Sequence, residues 1–415
     1  MRLPKLILLL TATLLVPVAM PLSPVAAQNA PVARTLSKPE TEFAEPFSAV
    51  VAIRELADGR VLVSDSKDKI VQVVDLKAGR ASKVGREGAG PGEYGLPAQL
   101  FALPGDSSVV FDPLNSRYLV ILPSGKPGAT FRVGDDGPKE AGPAGGRGPV
   151  IMVGGLGLGM PKAVDVRGRL YFEGPPLAMG PNGPMAADSV PVMRYDRETR
   201  RADTLTWVHL PSNSASVKSS GSGNARSMEV RIGGRTPYPA RDGWTVLPNG
   251  TVVVARVKDY HLDVIAAPGS STRGPAVRFT PVPVGSAEKQ EYRDAVRSSP
   301  GISISRNEER GPGGTRSQVS TAPPPFQEPD SWPATKPPFD ATRVLATPTG
   351  EVWVQRYRSA SEPAAVYDVF SATGTLTGQV ALPPRTRVVG FGNGGAVYTI
   401  RTDSDDLQYL QRFRR

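Results

Sequence analysis

The 415-residue chain contains no cysteine and only two histidines, His209 and His261. Without cysteine there is no disulfide framework, no thiol nucleophile and no thiolate metal site. Two isolated histidines argue against a histidine-rich zinc site and against a Ser/His/Asp triad, and no G-x-S-x-G nucleophile elbow is present. P-loop and EF-hand patterns are also missing. The sequence therefore identifies no catalytic residue.

Long apolar segments are scarce as well. The run LILLLTATLLV follows Arg2 and Lys5, and its length is about half of the roughly 20 residues that cross a bilayer. Prolines and then the small residues of PVAAQ come after it, as in a secretory signal peptide. We interpret residues 1–27 as that peptide, cut after Ala27. We therefore expect a mature protein of residues 28–415, periplasmic or extracellular, with no membrane span.

Positive charge is in excess, with a formal net charge of +10 at pH 7. This excess favours anionic partners. The basic residues are scattered and are not interleaved with aromatic residues, and export also argues against a nucleic-acid partner. We expect a monomer whose partner is an unidentified protein, a glycan or a small anionic ligand.

Short β-branched runs flank tight-turn signals at six places. These stretches are LADGRVLVSD, LPGDSSVVFD, VRGRLYFEG, LPNGTVVVAR, TPTGEVWVQR and FGNGGAVYTIR. Each is typical of a strand, a turn and a second strand, and a further β-branched arm follows most of them. The turn glycines Gly59 and Gly105 are 46 residues apart, and Gly350 and Gly394 are 44 apart. Propeller blades repeat at roughly 40 to 50 residues. The sequence therefore predicts an all-β, six-bladed β-propeller of four-stranded antiparallel blades.

The longer spacings between the other turns predict three insertions within this one domain, at about 125–160, 211–227 and 285–340. The third begins with a short helix near residues 287–298 and ends in the proline-rich APPPFQEPDSWPATKPPF, which we expect to dock on a propeller face. The last unit shows only three strands, which would leave an open edge. We expect Pro31–Lys38 to supply the missing outer strand.

Several motifs resemble those of secreted bacterial six-bladed β-propeller proteins related to NHL repeats. They are VGREGAGPGEYGLP, the spacing of Asp112, Asn115 and Arg117, SWPATKPPF, and the ending AVYTIRTDSDDLQYLQRF. The resemblance extends over nearly the whole mature chain. It implies the propeller fold and export, but it implies no particular reaction.

The stretch GREGAGPGEYG matches the dinucleotide pattern G-x-G-x-x-G at Gly90, Gly92 and Gly95. That fingerprint needs a helix beginning at its last glycine, whereas Pro91 interrupts the motif and a proline-containing strand follows it. We interpret the stretch as the crossing from the first blade to the second. In that crossing Glu93 and Tyr94 either point toward a ligand or, as we prefer, clamp the blades, with Glu93 accepting backbone N–H bonds.

Four residues are our candidates for ligand binding at the funnel of the propeller. They are Asp65, Glu93, Tyr94 and Asp112. Glu173 and Asp259 are further carboxylates that we place near strand ends.

Two functions remain open. The first is a non-catalytic binding or scaffolding propeller, favoured by the shortage of nucleophiles, with no cofactor and no metal. The alternative is a metal-dependent hydrolase of the lactonase or esterase type that binds calcium in the funnel through Asp, Asn and Glu oxygens. We interpret the acidic TDSDD segment, which includes Asp403, as a hairpin turn and not as a calcium site.

Overall fold

A computed structural model describes residues 32–133, 160–174, 176–180, 183–211, 215–220, 227–232, 236–298, 303–311, 314–322 and 326–414. All of them belong to a compact unit, Val32–Arg415, that is distinct from Met1–Pro31. The proposed signal peptide, residues 1–27, lies outside the described residues. Within the described ranges, no helix has both the length and the apolar character needed to span a membrane.

The N-terminal strands and the first two blades follow the chain in order. The N-terminal strands are β1 (Val32–Thr35) and β2 (Thr41–Glu42). Blade 1 consists of β3 (Val50–Glu55), β4 (Val61–Asp65), β5 (Ile70–Asp75) and β6 (Arg80–Lys83). The crossing that follows contains the short parallel strands β7 (Arg86–Glu87) and β8 (Glu93–Tyr94). Blade 2 consists of β9 (Gln99–Ala102), β10 (Ser108–Asp112), β11 (Arg117–Ile121) and β12 (Pro127–Phe131). The start of the expected insertion 125–160 is therefore a blade strand, and its central part, residues 134–159, lies outside the described residues.

Blade 3 contains one inserted hairpin, and a second hairpin lies between it and blade 4. Blade 3 consists of β13 (Pro161–Val164), β14 (Leu170–Glu173), β17 (Ser189–Asp196) and β18 (Arg201–His209), with the hairpin β15 (Leu177–Gly180) and β16 (Gly183–Ala186) inserted. A second hairpin follows, β19 (Ala215–Ser220) and β20 (Ser227–Ile232), so the described part of the expected loop 211–227 is a strand. Blade 4 consists of β21 (Gly243–Val246), β22 (Val252–Arg256), β23 (His261–Ala267) and β24 (Ser270–Arg273).

The third insertion separates blade 4 from the last two blades. It contains β25 (Val282–Pro283), α1 (Ser286–Ser298), the hairpin β26 (Ser303–Gly311) and β27 (Gly314–Ala322), and β28 (Thr335–Lys336). Blade 5 consists of β29 (Phe339–Ala346), β30 (Val352–Arg356), β31 (Ala364–Phe370) and β32 (Leu376–Pro384). Blade 6 consists of β33 (Thr386–Phe391), β34 (Val397–Thr402) and β35 (Gln408–Phe413), together with β2. The predicted fold of six four-stranded antiparallel blades with one short helix is confirmed.

From residue 326 onward, the proline-rich end of the third insertion packs on the helix of the same insertion and then enters blade 5. Trp332 meets the ring of Tyr292 on α1 edge to face at 5.5 Å, and Phe339 is buried in the core between blades 4 and 5. Residues 323–325 lie outside the described residues.

Six apolar clusters hold the blades together, one at each junction between neighbours. The inner strand of each blade is antiparallel to its second strand, and the faces of both strands are buried against the adjacent blades. The cluster at the junction of blades 6 and 1 combines Phe43, Ile53 and Ile400, so the ring is closed. The six turn glycines that indicated the repeat all have positive φ, which is the conformation that glycine permits at no steric cost.

Ring closure uses a different segment from the one expected. The strand β2 pairs antiparallel with β35, joining Thr41 to Arg412, and it completes blade 6. The strand β1 pairs parallel with β32 and adds a fifth strand to blade 5. The prediction that Pro31–Lys38 completes the last blade was therefore wrong. Without β1, the outer edge of blade 5 would also be unpaired. The N-terminal segment therefore covers two edges, that of blade 5 with β1 and that of blade 6 with β2.

In blades 1 and 2, a buried carboxylate clamps the loop that enters the blade. The Oδ2 atom of Asp65 accepts the N–H groups of Ser48 and Ala49 at 2.7 and 3.0 Å. In blade 2, Asp112 is fully buried and accepts the N–H groups of Gly95 and Leu96 at 2.9 and 3.0 Å. Each carboxylate ends the second strand of its blade and fixes the chain that enters the first.

We expect Asp112→Ala to lower the free energy of unfolding by about 3 kcal/mol, because it leaves the N–H groups of Gly95 and Leu96 without their acceptor and removes the anion that lies 3.7 Å from Arg117. Asp75→Ala is the matched control. Asp75 accepts the Lys77 and Ala78 N–H groups in a surface turn, so its loss should cost about 1 kcal/mol or less. Urea unfolding of both variants measures the difference, and equal losses would contradict the clamp.

Two N-terminal truncations test the closure. A chain beginning at Lys38 lacks β1 and the buried Leu36 but keeps β2, and we expect a small fall in its melting temperature. A chain beginning at Ser48 also lacks β2 and the buried Phe43 and Phe47. We expect this second chain to aggregate or to melt much earlier, because it exposes the edge of β35 and part of an apolar cluster. Similar melting temperatures for the two truncations would disprove this role of β2.

Candidate functional site

The four residues predicted to bind a ligand hold the backbone in this structure. Asp65 and Asp112 are the clamps described above. Glu93 accepts the Gly90 N–H at 2.7 Å and pairs with Arg86, and these two contacts lower the pKa of Glu93. Tyr94 is 1% exposed, and its hydroxyl donates to Val84 O at 2.8 Å and accepts the Val71 N–H at 2.9 Å. These contacts agree with the interpretation of the crossing as a clamp between the blades. Ligand binding by these four residues stays a prediction.

The glycine-rich stretch is indeed the crossing from blade 1 to blade 2. Its backbone is held by Asn115 Nδ2, which donates to Gly88 O at 2.9 Å, and by Arg117, which donates to Ala89 O at 2.8 Å and to Glu93 O at 2.8 Å. The spacing of Asp112, Asn115 and Arg117 therefore serves one loop.

A cluster of charged side chains lies where blades 3 and 4 face the central channel. We call Lys162, Glu173, Arg241 and Trp244 the channel cluster. Arg241 donates to both oxygens of Glu173 at 2.9 and 2.8 Å, and the indole N–H of Trp244 donates to the same carboxylate at 2.6 Å. Glu173 is thus the centre of the cluster, held by donors from the next blade.

Lys162 extends from the inner strand β13 into the cluster. Its ammonium nitrogen lies 3.9 Å from Glu173 and 4.8 Å from the centroid of the Trp244 ring. Burial lowers the pKa of Lys162 to about 8, against the opposing attraction of Glu173. Its side chain is nevertheless 30% exposed, so water reaches it. An amine with this pKa is partly neutral near physiological pH, as a general base requires.

The carboxylate of Glu173 remains ionised beside this amine. Burial alone would raise its pKa, but the charges of Lys162 and Arg241 outweigh burial and leave the pKa of Glu173 below its usual value. The cluster therefore combines a fixed anion with an amine that titrates near neutral pH.

Blades 5 and 6 contribute three more charged residues to the channel. Asp340 on β29 lies close enough to act on the charge of Lys162, two blades away. Burial, followed by repulsion from Arg343, lowers the pKa of Arg387 on β33. Tyr367 partly offsets this repulsion, and the guanidinium of Arg387 donates to Val50 O at 2.5 Å and to Gln408 Oε1 at 3.3 Å. Two guanidiniums that repel each other favour an anion bound near them.

A separate cavity of about 780 Å³ lies beside blade 4, between its strand ends and the segment that leads into blade 5. Its polar side includes Asp259, which the sequence analysis named, together with His261 and Asp263. Ala240 and Asp242 line this cavity, whereas Arg241 between them binds Glu173 in the channel cluster.

The carboxylates do not form a calcium site in the described ranges. Calcium takes six to eight oxygen ligands, usually including several carboxylates. In this part of the chain no group of three or more Asp, Glu or His side chains could hold a metal. The oxygens of Asp65 and Asp112 accept backbone N–H groups, and those of Glu173 accept Arg241 and Trp244. This donor set does not fit calcium. The turn assigned to Asp403 agrees with its hydrogen bonds, since it accepts the Asp405 and Leu407 N–H groups.

The sequence analysis named Glu173 but missed the cationic residues of the channel. These residues come from the inner strands of four blades, or from the residues before them, and lie far apart in the chain: Lys162, Arg241, Arg343 and Arg387. No local motif connects them. The available signal was their place at the start of each blade, where the first strand faces the channel.

No family model and no curated protein sequence matches the chain. Several solved structures align with most of it. A gluconolactonase of Xanthomonas campestris is 11% identical, covering 90% of this chain and 91% of its own, with a TM-score of 0.39. The PQQ-bound aldose sugar dehydrogenase of Streptomyces coelicolor is 13% identical, covering 91% and 97%, with a TM-score of 0.42. A calcium-binding regucalcin of Agrobacterium tumefaciens is 10% identical, covering 92% and 97%, with a TM-score of 0.34.

These neighbours correct one prediction. The chain was interpreted first as a non-catalytic binding or scaffolding propeller, but the structures that align with it are mostly those of enzymes. They are enzymes of several kinds, including a dehydrogenase and a lyase, and at this level of similarity they show the fold alone. The low similarity transfers no substrate and no residue role. The residues that bear on activity are those of its own channel, where Lys162 supplies a titratable amine.

Proposed function

We propose that the protein is a hydrolase that opens an ester or lactone carrying an anionic group, and that the reaction takes place in the central channel. The observation that carries the proposal is Lys162, a water-accessible amine with a pKa of about 8 beside an ionised carboxylate. Catalytic bases work best when their pKa lies near the operating pH. The alternative of a calcium-dependent mechanism has no fitting donor set in the described residues, so no step is assigned to a metal.

Each channel residue has a distinct part in this reaction. Neutral Lys162 takes a proton from water, the water oxygen adds to the carbonyl carbon, the C–O bond breaks, and the leaving alkoxide takes the proton back. Arg343 and Arg387 bind the anionic group of the substrate and fix its position. Glu173, held by Arg241 and Trp244, keeps the pKa of Lys162 from falling further.

We expect hydrolysis of a panel of aryl esters and lactones bearing a carboxylate to depend on Lys162. The rate should rise with pH through about 8 and level off above it, because only the neutral amine accepts a proton. Lys162→Met, which keeps an unbranched side chain but removes the amine, should lower kcat by about a hundredfold or more. Lys83→Met on the exposed outer strand of blade 1 is the control and should retain full activity. Unchanged kcat in Lys162→Met would refute the assignment.

A second variant separates titration of Lys162 from a structural effect. Because Glu173 raises the pKa of Lys162, Glu173→Gln should move the midpoint of the pH–rate profile below 8. A purely structural role of Glu173 would lower the rate without moving the midpoint.

We further propose that the enzyme acts outside the cytoplasm as a monomer. The basis is the N-terminal sequence pattern and its resemblance to exported propeller proteins. In a Gram-negative expression host, the fractionated protein should begin at Gln28 when its N-terminus is sequenced. Replacing Leu8 and Leu9 with arginine should leave an uncleaved protein in the cytoplasm. Cleavage in this variant, or an intact Met1 in the wild-type protein, contradicts export by this segment.

A further inference from the structure

The cavity beside blade 4 differs from the channel in how its charges are paired. A continuous chain of ion pairs and hydrogen bonds, which we call the charge chain, runs along its polar wall: Arg273, Asp259, His261, Asp263, Arg256 and Asp242. His261 is buried, with Nδ1 at 2.8 Å from Asp259 and Nε2 at 3.1 Å from Asp263. Arg273 pairs with Asp259. Arg256 donates to Asp263 at 2.7 Å and to Asp242 at 2.8 Å.

This pairing favours a neutral ligand along the polar wall. Each carboxylate in the chain already has a cationic or imidazole neighbour, and each guanidinium has a carboxylate. An ionic ligand bound to the chain would have to break one of these pairs and leave a charge without its partner, which is costly. A neutral ligand avoids this cost. Lys258 also lines the cavity, but its side chain is exposed, so water solvates its charge.

The same wall retains hydrogen-bonding capacity for a neutral ligand. The side chain of Asp259 is 42% exposed and that of Arg273 is 60% exposed. Carboxylate oxygens accept two bonds each, and a guanidinium has five N–H donors. A ligand group that both donates and accepts satisfies such alternating partners, and a hydroxyl does both.

The apolar lining of the cavity is built mainly from rings. It includes Phe279, Pro281, Pro337 and Pro338. Phe279 is half-buried and meets the ring of Tyr260 edge to face at 6.4 Å. The faces of these rings suit the C–H face of a flat, saturated ligand. At about 780 Å³, the cavity also lies within the usual range of small-molecule sites.

We infer that this cavity is a binding site for a neutral saccharide, with the apolar lining against the C–H face of a sugar and the charge chain bonded to its hydroxyls. The inference does not depend on the hydrolase proposal, because it uses no residue of the channel cluster.

Isothermal titration calorimetry of the full chain tests it. The probes are glucose, galactose, mannose and N-acetylglucosamine, the disaccharides maltose, cellobiose and lactose, and the acids glucuronate and galacturonate. We expect saturable binding of at least one neutral sugar, and weaker binding of the acids. Binding of no neutral sugar, or tighter binding of the acids, overturns the inference.

Two conservative variants locate the binding. Phe279→Leu preserves apolar contact with Tyr260 but removes the flat ring, and Arg273→Gln preserves a donor but removes the guanidinium. Each should raise Kd for the sugar about tenfold. Arg80→Gln, on the exposed β6 of blade 1, should leave Kd unchanged. Equal affinity of both cavity variants and the wild-type protein refutes the site.

The variant Lys162→Met distinguishes the saccharide site from the proposed hydrolase site. Lys162→Met should bind the sugar as the wild-type protein does, even though it lacks hydrolase activity. If Lys162→Met loses the sugar while the cavity variants keep it, the saccharide belongs to the channel and the cavity site is wrong.

Discussion

The structure depends on burying both faces of every blade in a closed ring. A four-stranded sheet with two apolar faces is unstable in water unless a neighbour covers each face, and the six inter-blade clusters provide this cover. Polar chemistry is therefore confined to strand ends, to crossing loops and to the inner strands that face the channel. Many strand-end carboxylates are used to fix loops. The polar side chains that remain free to bind a ligand or to take part in a reaction are those that do not hold the backbone of a loop.

The two polar regions of the protein illustrate opposite uses of charge. In the cavity beside blade 4, Asp263 and Arg256 belong to a chain in which each charge has a partner of opposite sign. In the channel, Arg387 and Arg343 repel each other, and burial keeps the amine of Lys162 partly neutral. Paired charges build a polar surface without a strong field, whereas cations that repel each other create one. The two regions therefore suit the different ligands that we propose for them.

The sequence predicted the elements that depend on local patterns. Six blades could be predicted from tight turns with glycine, such as those at Gly59 and Gly350, and from the β-branched strands beside them, because each hairpin is a local structure. The channel cluster was not predictable in this way. Lys162 and Arg241 come from different blades, and their proximity results from the ring. The strand-end aspartates were visible in the sequence, but a carboxylate that clamps backbone looks the same there as one that faces a ligand.

The N-terminal segment also determines when the fold can be completed. Thr41 pairs with Arg412, so the last blade joins the start of the polypeptide to its end. Contacts of such long sequence separation form slowly, because a large loop must close before they contribute. During synthesis, the first five blades can assemble in order, but the ring stays open until the final strand emerges. Before β35 pairs with β2, the exposed edge of either strand can pair with a second chain instead.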